Sequence, residues 1–237
     1  MNALQGKKVV VIGGSSGMGL AIAKAAAEAE AQVVIAGRSP QKLEDALAEI
    51  EQNVLAYPVD LTQDDSIADF FAREGTVDYL VISGSSATSG TFTELPVAKA
   101  MQSMDSKFWG PYRAIQAASL QPTGSITLFS GVLSRRPTPG MVAIAAINAA
   151  VEGLGRALAV ELAPIRVNVI APGLVKTAAY SSMPADQREA MYQSVAAELP
   201  SQRVGAPADI AAMTLQVMTN PYMTGTVIDI DGGSLLV

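Results

Sequence analysis

The run Gly13-Gly14-Ser15-Ser16-Gly17-Met18-Gly19 follows the short apolar stretch Val9–Ile12 and leads into a helix-length segment, Met18–Ala29. Glycine at such a turn lets the backbone bend tightly and approach a pyrophosphate, whose charge the helix N-terminus favours. The next apolar run ends in Gly37-Arg38-Ser39, with Arg38 nineteen residues beyond Gly19. An acidic side chain near this point binds the ribose 2′-hydroxyl of NAD, whereas a guanidinium matches a 2′-phosphate in charge and in bidentate geometry. Together the two signals predict NADP(H) rather than NAD(H). The alternative for Arg38 is stacking on adenine with no phosphate preference.

Proton-carrying groups are few in kind. The 237 residues include no histidine and no cysteine. That removes the Ser-His-Asp triad, a cysteine nucleophile, imidazole or thiolate metal sites and every disulfide. Acid–base chemistry must come from Asp, Glu, Lys or Tyr, or from a bound cofactor. A net charge of -6 and a pI near 4.7 oppose nucleic-acid and anionic-membrane partners. The only tight basic pairs are Lys7-Lys8 and Arg135-Arg136, and Val9–Ile12 is too short for a signal peptide or a membrane span. A soluble cytoplasmic protein with a small-molecule substrate is the expectation.

The elements that must hold these residues are legible as alternating runs. Val9–Ile12, Val33–Ala36, Val54–Pro58, Tyr79–Ile82, Ile126–Phe129, Val167–Ile170 and Val227–Ile230 lack apolar/polar alternation and read as strands buried on both faces. Met18–Ala29, Pro40–Gln52, Asp64–Glu74, Pro96–Leu120, Met141–Leu162 and Pro207–Met218 read as helices. Ser39-Pro40 is a helix start, and Thr62 before Asp64-Asp65 is read as another. The alternation predicts one α/β domain over residues 1–237, a doubly wound seven-stranded parallel sheet with helices on both faces. The least regular long stretch, 177–203, is expected to be a lid over a pocket.

The spacing Gly-x-x-x-Gly-x-Gly resembles the short-chain dehydrogenase/reductase superfamily, and the resemblance runs through nearly the whole chain. Asp60-Leu61, Arg166 to Gly173, Arg203 to Pro207 with Asp209-Ile210-Ala211, Thr224-Gly225 and Asp231-Gly232-Gly233 match further motifs of that family in order. The resemblance implies a Rossmann fold. It implies cofactor contacts from Gly13, Ser15, Ser16, Gly17, Met18 and Gly19, from Arg38 and Ser39, and from Asp60 and Leu61. Others follow from Ser83, Gly84 and Ser85, from Asn148, and from Pro172, Gly173, Val175 and Thr177. Ser16 is a mild departure, since NADP-preferring relatives often carry a basic residue there. A homodimer or homotetramer through Pro96–Leu120, Met141–Leu162 and the C-terminal segment is also implied.

Catalysis in that family usually rests on Asn, Ser, Tyr and Lys, with the Tyr moving the proton and a Lys one helical turn later lowering its pKa. Here those positions fall on Lys107, Gly131, Ile144 and Asn148, and no tyrosine in the chain precedes a lysine by four. Lys107 is the first candidate to replace the missing groups, either as proton donor or as a contact to ribose; the bland alternative is that it only bonds backbone carbonyls. Ser134 and Arg135 are candidates for the substrate side, with Arg135 able to take an acidic group, and Tyr180 is a candidate from the lid. The functional expectation is an NADP(H)-dependent oxidoreductase with a non-standard site, acting on a small carbonyl, alcohol or enone. The alternative is a non-catalytic NADP(H)-binding sensor or assembly protein, and a non-redox dehydratase or isomerase is a third option.

Overall fold

The computed structural model describes residues 3–50 and 52–237. Seven parallel strands run β1 Lys8–Ile12, β2 Gln32–Gly37, β3 Leu55–Pro58, β4 Thr76–Ile82, β5 Ser119–Phe129, β6 Arg166–Pro172 and β7 Val227–Ile230, in the spatial order β3-β2-β1-β4-β5-β6-β7. The chain reverses direction across the sheet between β1 and β4, which opens a crevice beyond their carboxyl ends.

Period-two alternation within each buried strand feeds two cores. Val9 and Val11 of β1 face a core built with α1 (Gly17–Glu28), α2 (Pro40–Glu49) and α8 (Pro207–Thr219). Val10 and Ile12 face the opposite core, with α3 (Asp64–Glu74), α5 (Gly110–Ala117) and α6 (Val142–Glu161). Each such buried Val or Ile contributes about 1.5–3 kcal/mol, so these short strands are held chiefly by their two-sided burial. Gly155 lets α6 close onto Val169 of β6. By length and composition α6 could cross a membrane, but Ile147, Asn148, Val151, Glu152 and Gly155 form its buried face within the protein.

Five expectations need correction. The segment Pro96–Leu120 is not one helix. It divides into α4 (Val97–Met104), a π-helical turn (Asp105–Trp109) and α5, and the chain is already in β5 at Leu120. Pro111 lacks the N–H that would continue the helical ladder, so the helix restarts around it. Stretch 177–203 is not irregular, because α7 (Ala185–Glu198) occupies most of it. Thr62 does not cap α3. Gln63 holds that position without a side-chain bond, and the Thr62 hydroxyl donates instead to Asp60 Oδ1 at 2.8 Å. Strand β5 starts well before Ile126, since its first half is largely exposed and carries no apolar run. Ser39 does cap α2, accepting from the Lys42 N–H at 3.4 Å; that helix ends at Glu49 rather than Gln52, with Glu51 outside the described residues.

Candidate active site

The crevice holds a cavity of about 680 Å³. The glycine loop supplies one wall, with Gly13, Ser15, Ser16, Gly17, Met18 and Gly19. Arg38, Ser39 and Lys42 supply the end beyond β2, and Val59 to Thr62 the side beyond β3. Ser83, Gly84 and Ser85 close it beyond β4, and Ser106 with Thr177, Ala178 and Ala179 covers it from above.

Backbone approaches backbone at the cavity floor. Gly13 has φ +88°, and a Cβ there would run into the Gly84 amide; a Cβ on Gly19 would collide with the Gly13 carbonyl. The glycines therefore keep the loop flat enough for a ligand to lie on its N–H groups. Gly13→Ala should lower stability by about 3 kcal/mol through combined clash and left-handed strain, which denaturant unfolding measures.

The far end is cationic. Arg38 is exposed at the rim, with its guanidinium on Ser86 Oγ at 2.6 Å. Lys42 joins it, a residue that sequence reasoning passed over. Its position one turn into a helix capped by Ser39 and four residues after Arg38 was the available signal. Asp60 is fixed by its own loop, accepting at Oδ1 from the Thr62 N–H at 2.9 Å, while its N–H donates to Ser66 Oγ at 3.0 Å.

Not every expected contact lines this wall. Val175 is buried and bridges to Gly205, Pro172 ends β6, and the Gly173 N–H donates to the Ile230 carbonyl at 3.0 Å. Asn148 is also set back from the wall.

Lys107, Gly131 and Asn148 converge at the end of β5. Lys107 lies in the π-helical turn, a form often found where a helix is adapted to a site. Its ammonium donates to the Ser130 carbonyl at 3.2 Å, and burial lowers its pKa from 10.5 to about 8. Asn148, 2% exposed, donates from Nδ2 to the next carbonyl, that of Gly131, at 3.3 Å. Its Oδ1 is buried without a hydrogen-bond partner. A Cβ on Gly131 would stand 3.0 Å from Asn148 Nδ2, so the amide leans into the space a serine side chain would use. Ile144, half-buried, offers no proton. Lys107 and Asn148 thus meet, with their polar ends on the consecutive carbonyls of Ser130 and Gly131.

The substrate-side candidates are engaged within the protein, Ser134 beside this cluster through the Gly131 carbonyl at 3.1 Å. Arg135 makes a two-pronged ion pair with Asp229 and lies 3.7 Å from Glu152, so it is not free to receive an acidic substrate. Ser134 Oγ donates to Glu152 Oε1 at 2.5 Å, beside Ser130 Oγ at 3.1 Å on the same oxygen. This buried carboxylate gathers both hydroxyls into a network against the middle of α6. Tyr180 packs edge-on against Tyr192, 6.1 Å between centroids, and lines no part of the cavity.

Comparison with known proteins adds independent observations. The family profile described as enoyl-(acyl carrier protein) reductase matches residues 12–234. A small-chain dehydrogenase solved in complex with NADPH is 40% identical, covering 98% of this chain and 100% of its own, with a TM-score of 0.83. The MalC reductase/Diels-Alderase of Malbranchea aurantiaca is 27% identical over 100% of this chain and 99% of its own, with a TM-score of 0.94. An NADPH-bound short-chain oxidoreductase from Pseudomonas aeruginosa PAO1, described as containing an atypical catalytic center, is 27% identical over 96% of each chain, with a TM-score of 0.87.

Proposed function

The chain belongs to the short-chain dehydrogenase/reductase superfamily, and on that footing we propose that it is a cytoplasmic NADP(H)-dependent oxidoreductase in which Lys107 stands in for the usual proton-handling residues. The observation that carries this reading is a desolvated ammonium held on the Ser130 carbonyl at the end of β5, one residue along the chain from Ser106 on the wall of a crevice that is cationic beyond β2.

The residues present fit NADP(H). The cradle at Gly13 and Gly19 has no room for side chains, which suits close contact with a pyrophosphate. Arg38 and Lys42 match a 2′-phosphate. Bound there, NADP(H) supplies the hydride. Lys107 then has two tasks. In its protonated form it places a positive charge near the oxygen on which negative charge develops, and with a pKa of about 8 it can release a proton near neutrality. With Arg135 held by Asp229, a neutral carbonyl, alcohol or enone is the substrate class favoured over an acid.

The relatives solved with NADPH support the cofactor, and the atypical centre in one of them supports catalysis without the usual residues. The test is to mix purified protein with NADPH and a panel of carbonyls and enones and follow NADPH absorbance. Consumption with at least one compound is expected. Tight NADPH binding with no consumption across the panel would favour the alternative, a non-catalytic NADP(H)-binding protein, which Gly131, Ile144 and Asn148 favour by offering no titratable group.

Arg38→Gln should raise the dissociation constant for NADPH about 30-fold, the loss expected for a charge-assisted phosphate contact, and leave that for NADH within about twofold. Fluorescence titration with both cofactors measures it. Self-association is proposed through α4–α5 and α6, where Met101, Trp109, Tyr112 and Val160 are exposed apolar side chains. Sedimentation should find a dimer or tetramer, weakened by Trp109→Glu.

A further inference from the structure

A second cavity of about 550 Å³ opens between α1, the segment from Lys176 to Ser181, and α7. Lys24, Lys176 and Arg188 line it, and among the described residues no carboxylate does. In a chain of net charge -6 that is a local reversal of sign.

The cations can be recruited by a ligand. Lys24 pairs with Glu49 at 2.9 Å and Lys176 with Glu189 at 3.8 Å, and both glutamates are more than half exposed, at 58% and 55%. Pairs this open to solvent hold their partners weakly, so an incoming anion can take over both ammoniums. Arg188 has no carboxylate partner among the described residues. Its guanidinium reaches the carbonyls of Tyr180 and Met183 at 3.5 and 3.3 Å, which leaves most of its donors free. The Lys176 ammonium stands 5.0 Å from the centroid of the Tyr192 ring, while Leu20 and Pro207 add apolar wall.

Cationic groups over an aromatic and aliphatic lining suit a molecule that is part phosphate and part organic, and the volume suits a small ligand. We propose that this cleft is a second ligand site, for a small phosphorylated organic molecule, distinct from the dinucleotide cavity. The two sites are neighbours: Gly17, Thr177 and Ala178 line both, and Thr177 side-chain carbons lie 3.4 Å from where a Gly17 Cβ would stand. A single layer of residues therefore separates them.

The inference goes beyond the oxidoreductase reading and is tested apart from it. Inorganic pyrophosphate is titrated into the protein, with and without saturating NADPH, and backbone amide shifts are followed residue by residue. Saturable shifts at Leu20 to Lys24, Lys176 to Ser181 and Arg188 are expected in the presence of NADPH. Lys24→Gln combined with Arg188→Gln should weaken them at least about tenfold, Lys24→Arg with Arg188→Lys should retain them, and Arg38→Gln should leave them unchanged. Shifts confined to Gly13 to Gly19 and Arg38, or pyrophosphate binding indifferent to the double Gln variant, would overturn the proposal. If NADPH itself moves no amide of the glycine loop, the cofactor reading fails, while the pyrophosphate titration without NADPH still decides this one.

Discussion

Asn148→Lys alone should lower stability by about 3 kcal/mol, and adding Lys107→Asn should return most of that loss. The first change puts a second ammonium into a buried cluster whose one cation is already desolvated. Like charges brought together away from water disfavour each other, and the nearby Glu152 carboxylate is already engaged by the Ser130 and Ser134 hydroxyls and by Arg135 at 3.7 Å. The second change removes the competing charge and leaves one ammonium and one amide with their positions exchanged. Denaturant unfolding of the four proteins gives the coupling energy directly, expected at about 2 kcal/mol. Independent, additive effects would show that the two side chains do not share a site. The double variant should not gain the usual catalysis, because Ile144 still supplies no phenol.

Lys107→Met should abolish most turnover and yet stabilise the protein near neutral pH. A pKa lowered from 10.5 to about 8 corresponds to a cost of about 3 kcal/mol for keeping the ammonium charged in the fold. Methionine removes that cost but leaves the Ser130 carbonyl without its donor, which gives back about 1 kcal/mol. A net gain of about 2 kcal/mol is expected, visible as a raised Tm. Between pH about 8 and 10.5 the unfolded lysine holds its proton and the folded one has released it. Stability contributed by this group therefore rises with pH across that window in the wild type, and the variant lacks the rise. Turnover should fall about 100-fold or more, the usual worth of a positioned proton donor. A residue kept at a cost to stability and lost with activity is a functional one.

How much of this was readable in the chain depends on the range of the interaction involved. Strands β1, β2, β4 and β6 are buried on both faces, so their Val/Ile runs announce them. Strand β5 hides its first half because residues such as Gln121, Pro122 and Thr123 face solvent. The glycine loop is local, and Gly13 with Ser15 to Gly19 therefore line one cavity. The break in the α4–α5 segment had a local signal too, the Gly110-Pro111 pair, which the apolar periodicity around it masked. Helix α7 carries no apolar stripe, so its alanines and glutamates read as loop. Arg135 shows the opposite limit: its partner Asp229 is 94 residues away, and only the packed sheet edge brings them together. Lys107 and Asn148 were each named in the sequence by what the family resemblance implies. What the fold adds is that they end on adjacent carbonyls, which brings two residues distant in the chain together.

The most direct test of the account is the pH dependence of NADPH-driven reduction, wild type against Lys107→Met, with the best compound from the carbonyl panel and cofactor affinity measured alongside. The account predicts wild-type turnover that falls as pH rises through about 8, where the ammonium loses its proton, and a variant that binds NADPH equally well but turns over slowly with no such inflection. A variant with wild-type turnover and the same inflection near pH 8 would contradict it, because the proton would then come from a group other than Lys107.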